Sequence, residues 1–112
     1  CAYTRGHPLR IWDAEFDGAT QQTNATLKAA AGAGLSLYVT DILCSAAGIV
    51  DVSLLNGSGG AIKWKGRFGL ATGGFAAANF KSPIKLTANT LLALTTSAAV
   101  GVSLTVCGFT AE

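Results

Sequence analysis

The stretch Val50-Asp51-Val52-Ser53-Leu54-Leu55-Asn56-Gly57-Ser58-Gly59-Gly60-Ala61-Ile62-Lys63-Trp64-Lys65-Gly66-Arg67-Phe68 carries the plainest structural signal in the chain. Val50, Val52 and Leu54 alternate with Asp51 and Ser53. A period of two gives an extended strand one apolar and one polar face. The Asn-Gly-Ser-Gly-Gly segment that follows is a turn signal, because Asn and Gly tolerate the positive φ of tight hairpin turns. Past the turn, Ile62, Trp64, Gly66 and Phe68 fall on one face and Lys63, Lys65 and Arg67 on the other. Two such strands make an antiparallel hairpin whose apolar face requires a second layer.

The same alternation extends in both directions. Upstream, Leu35, Leu37 and Val39 alternate with Ser36, Tyr38 and Thr40, and the pattern slips at Asp41, which predicts a bulge or change of face there. Thr23 to Lys28 reads as a short strand and Ala29 to Gly34 as a small-residue loop, since Gly32 and Gly34 oppose a helix. Downstream, Phe75 to Phe80 reads as a strand ending before Lys81-Ser82-Pro83, and Ile84 and Leu86 resume the alternation. Ala88-Asn89 reads as a turn, Leu91 to Thr96 as a strand, and Val100, Val102, Leu104 and Val106 as the apolar side of the last one. The expected architecture is an all-β, jelly-roll-like antiparallel sandwich of about eight short strands. Trp64, Phe68, Val102 and Leu104 are its expected core.

With 112 residues the chain has room for one ordinary domain. Residues 21–112 form the expected β-sandwich, and residues 1–20 stand apart as an N-terminal arm or edge strand. That segment holds Tyr3, His7, Pro8, Trp12, two arginines and the acids Asp13, Glu15 and Asp17. Only 12% of the chain is charged, about half of the ordinary share, while 50% is hydrophobic. A surface with so little charge suits a subunit that covers part of itself with neighbours. The net charge of +2 is too small for a nucleic-acid groove. No apolar run reaches the roughly 18 residues of a membrane helix, so a soluble chain is expected. No signal peptide is visible.

Candidate chemistry is sparse. His7 is the only histidine, sits beside Pro8 and reads as a surface residue, which disfavours histidine-dependent nucleophilic catalysis. Cys1, Cys44 and Cys107 lack metal-ligand spacing; the simplest reading has Cys44 and Cys107 as free thiols and Cys1 as a terminal residue, with a Cys44–Cys107 bridge as the alternative. Asp13 to Gly18 partly matches a calcium-loop pattern, but Glu15 is too long for its position and Asn24 stands where a bidentate Glu belongs. Asn24-Ala25-Thr26 and Asn56-Gly57-Ser58 match the glycosylation sequon, and Gly57 to Gly60 lacks the lysine and helix of a phosphate loop. The expectation is a non-enzyme without cofactor or metal. More informative are two ladders of like charge at period two: Asp13, Glu15 and Asp17, and Lys63, Lys65 and Arg67. They either pair with each other, within one subunit or between two, or remain separately solvated. With Tyr3 and Trp12, these six residues are the candidate partner-binding set.

Several segments, taken in order, carry a resemblance. They are Leu37-Tyr38-Val39-Thr40-Asp41-Ile42, the hairpin from Leu54 to Gly60, Pro83-Ile84-Lys85-Leu86-Thr87-Ala88-Asn89-Thr90, and the tail from Leu94 to Thr110. Together, over residues 23 to 110, the chain resembles small β-sandwich structural proteins of tailed bacteriophage virions. The resemblance implies a virion structural protein of the capsid decoration or cement kind. Because the edge strands of a small sandwich must be paired or covered, the expected state is a homo-oligomer, with the trimer foremost. It would stabilise the outer shell by contacts with the major capsid protein or other virion proteins, without nucleic acid or membrane. A tail or fibre module that binds a host glycan or protein is the alternative.

Overall fold

The computed structural model describes residues 10–112, and all regular structure in them is β. Eight strands follow in order: β1 (Arg10–Gly18), β2 (Ala25–Lys28), β3 (Ser36–Ala46), β4 (Val50–Asn56), β5 (Ala61–Phe68), β6 (Gly74–Lys85), β7 (Leu92–Thr96) and β8 (Val102–Ala111). Their pairing is nested and antiparallel, β4 with β5, β3 with β6, β2 with β7 and β1 with β8. Nesting of this kind is what one long ribbon gives when it turns back at its middle and is wound around itself. Ladders between β3 and β8 and between β4 and β7 then complete two sheets, β1-β8-β3-β6 and β2-β7-β4-β5. The result is the jelly roll that the alternation and turn spacing predict.

The middle of the ribbon is the Asn56 to Gly60 turn, with Gly57 and Gly59 at φ of 90° and 71°. Between the sheets lies one core, in which Leu37, Ile42, Val52, Leu54, Leu92, Leu94, Leu104 and Val106 are 2% exposed or less. Phe68 and Val102 are buried with them, as expected, while Trp64 is only half-buried at the margin. The slip at Asp41 is a bulge: Val39 faces Gly108 and Asp41 faces Cys107, so Thr40 is the extra residue. Its hydroxyl donates to the Cys107 carbonyl at 3.1 Å, which satisfies the group inside the fold.

Two local expectations are corrected. The segment Lys81-Ser82-Pro83 does not end a strand: β6 runs through it for 12 residues and absorbs the break as a register shift between Asn79 and Ile84. Among the described residues β6 is a sheet edge, where the missing N–H of proline need not interrupt a ladder. Ile62 does not share the apolar face of Trp64. Leu54 faces Trp64 but Leu55 faces Ile62, so the bulge at Lys63 turns Ile62 outward, where it is 52% exposed.

Candidate functional site: two charged edge strands

β1 and β5 carry the two ladders, and the fold sets them far apart. Among the described residues β1 is an edge of one sheet and β5 an edge of the other. β1 packs beside β2, and β5 beside β6, so the two lie at diagonally opposite corners of the sandwich. The acids and bases therefore cannot pair within one chain, and the intrachain alternative is removed. All six side chains are exposed, and no ion pair engages any of them among the described residues. Asp51 stands across the ladder from Arg67 without closing an ion pair.

The strands share a construction that reading each segment separately missed. β1 reads Trp12-Asp13-Ala14-Glu15-Phe16 and β5 reads Trp64-Lys65-Gly66-Arg67-Phe68: Trp, charge, small residue, charge, Phe. In each, Trp, the small residue and Phe face the core while the charges face outward. Aligning the two pentapeptides would have found this, since they share both aromatic ends and differ in the sign of the charges and in Ala14 against Gly66. Trp12, expected to meet a partner, is instead 7% exposed in the core, because strand alternation places it on the face opposite Asp13. Its ring lies against Gly108 of β8, the residue it faces, and under the Lys28 ammonium at 5.8 Å. Tyr3 and His7 lie outside the described residues.

Across the outer face of the β1-β8-β3-β6 sheet the register aligns side chains in rows. One row runs Asp13, Cys107, Asp41, Asn79, and the next Glu15, Thr105, Leu43, Ala77. Asn79 donates a hydrogen bond from its amide to the Asp41 carboxylate. Leu43 is 47% exposed, and with Asp41, Ala77, Asn79 and Thr105 it lines an open hollow of about 650 Å³. A further aromatic pair lies on this face, Tyr38 stacked on Phe109 at 4.7 Å, with the Tyr38 hydroxyl donating to the Glu112 carbonyl.

The remaining candidates have structural roles. Asp13, Glu15 and Asp17 lie along an extended strand, not around a loop, so they do not wrap an ion in the calcium-loop manner. Among the described residues no three His, Cys, Asp or Glu side chains gather. Both sequon asparagines are engaged by the fold. Asn24 accepts the Gly59 N–H at 3.0 Å and so ties the start of β2 to the β4–β5 turn. The Asn56 amide bonds the Thr87 hydroxyl and accepts the Thr87 N–H, at 2.9 and 3.1 Å.

The free-thiol reading holds for Cys44 and fails for Cys107, which is disulfide-bonded. Cys1 lies outside the described residues. Cys44 points into the core and Cys107 onto the outer face, so the sheet separates them and a Cys44–Cys107 bridge is excluded. Burial pushes the Cys44 thiol up to about 11, away from the thiolate needed for reactivity at neutral pH. Neither a protein-family model nor a curated protein matches the sequence.

Proposed function

We propose that this chain is a structural subunit that works by assembly: a bacteriophage virion protein of the decoration or cement type that binds and stabilises the outer shell. One observation carries the assembly part. Two exposed ladders of opposite charge stand at opposite corners of the sandwich, and no ion pair among the described residues employs them. Isolated surface charges add little to stability, whereas complementary ladders select a partner and fix its register. The phage setting comes from the resemblance over residues 23 to 110, because a jelly roll by itself serves many functions.

Particles assembled with and without the protein, heated in parallel, test this reading. Particles that lack it should release their DNA at lower temperature, and the purified chain should bind emptied shells. Equal heat resistance together with no shell binding would refute it. The hollow beside Leu43, where Asp41, Asn79 and Thr105 offer polar groups next to apolar ones, favours a second reading as a tail or fibre module that takes a glycan. Binding to host cells but not to shells would select that one.

A further inference from the structure

We infer that the partner of each ladder is a second copy of this chain, and that the contact is an antiparallel pairing of β1 from one copy with β5 from the next. This deepens the assembly reading and rests on it. Both strands are sheet edges among the described residues, and an edge strand presents a row of N–H and C=O groups ready to accept another strand. Antiparallel alignment in one register opposes Asp13 to Arg67 and Glu15 to Lys65, and brings Asp17 to Lys63 at the bulge of β5, so every acid meets a base. The same register sets Trp12 opposite Phe68, Ala14 opposite Gly66 and Phe16 opposite Trp64 on the inner face. A bulky ring faces a bulky ring, and a small residue faces a small one. Parallel alignment of Trp on Trp matches only two of the charges, Asp13 with Lys65 and Glu15 with Arg67.

The charges also disfavour the wrong contacts. A β1–β1 pairing would bring acids together, and a β5–β5 pairing would do the same with bases, so each ladder blocks the self-pairing of its own edge. Of these three pairings only the β1–β5 contact is attractive. Because it joins two different edges it is heterologous, and copies add in one direction until a ring closes or a filament grows. The two edges lie on opposite sides of the sandwich, which favours a row or a wide ring over a compact trimer.

Two charge-reversed full-length chains test this. One carries Asp13→Lys, Glu15→Lys and Asp17→Lys, so that both edges are basic; the other carries Lys63→Glu, Lys65→Glu and Arg67→Glu, so that both are acidic. Circular dichroism and melting establish that each is folded. In sedimentation at about 0.05 M salt the wild type should associate and each variant alone should stay monomeric. An equal mixture of the two should associate again, because reversal restores both contacts. Raising salt to about 0.5 M should weaken the wild-type and mixed assemblies by about tenfold or more. For the register, Glu15→Lys should be rescued better by a partner with Lys65→Glu than by one with Lys63→Glu. A monomeric wild type, a variant that associates unaided, or a mixture that stays monomeric would each overturn the inference. Shell binding by a monomeric wild type would overturn it while leaving the proposed function standing; association without shell binding would do the reverse.

Discussion

Trp12 of β1 and Trp64 of β5 occupy the same position in the same five-residue pattern, yet Trp12 is 7% exposed while Trp64 is only half-buried. Each lies against a glycine, but the glycines differ in kind. A Cβ at Gly108 would meet the Tyr38 carbonyl oxygen at 1.9 Å and the Trp12 ring at 2.7 Å, whereas at Gly66 the nearest atom is the far end of the Trp64 ring at 2.8 Å. Trp12 is thus held between β8 and the Lys28 side chain, and Trp64 has room to move aside. Strand alternation fixes which way each ring points, while its depth depends on what the facing layer supplies. The β1 edge is built into the core more firmly than the β5 edge.

Truncating the rings is the strongest test of that difference. Trp12→Ala should destabilise by about 3–5 kcal/mol in urea unfolding, as a buried aromatic truncation does, and Trp64→Ala by roughly half as much. Equal losses would mean that the two edges are equally anchored. The glycines sharpen the point: Gly108→Ala should lower the melting temperature more than Gly66→Ala, since a carbonyl in a ladder cannot yield as a ring end can.

A pH series separates the core shared by both edges from the edges themselves. The Cys44 thiol is raised by burial from 9.0 to about 11, so its neutral form is the one the fold accepts. That contribution is complete below pH 9, where the unfolded thiol is also neutral, and is lost as pH rises through about 11. It amounts to about 2–3 kcal/mol. Wild type should lose stability across this interval more steeply than Cys44→Ala, and parallel curves would contradict the burial of the thiol.

Smaller effects belong to the surface. Asn24→Ala removes the acceptor for the Gly59 N–H, which ties β2 to the turn that leads into β5, and should destabilise by about 1–2 kcal/mol in urea unfolding. Reversing either charge ladder should change monomer stability by less than about 0.5 kcal/mol while abolishing association, because these charges form no ion pair among the described residues. A large loss of monomer stability would show that the ladders serve the fold itself.

Most strands were legible because alternation is a local property of the chain. The Asp41 slip and the Asn56 to Gly60 turn were legible for the same reason, through a break in period and through residues that accept positive φ. The course of β6 through Pro83 was not, since proline excludes a central strand but not an edge, and edge position is decided by which strands become neighbours. Ile62 was misplaced because the bulge at Lys63 arises from pairing with β4 and leaves no mark in the alternation.

For the candidate site, the sequence by itself determined that three acids and three bases form ladders and that each ladder occupies a single strand face, because side chains alternate along any extended chain. It did not determine that those faces lie at opposite corners, that Trp12 belongs to the core, or that Cys44 and Cys107 are separated by a sheet. Those are relations between residues distant in the chain, and only the nested winding of the eight strands into two sheets brings them about.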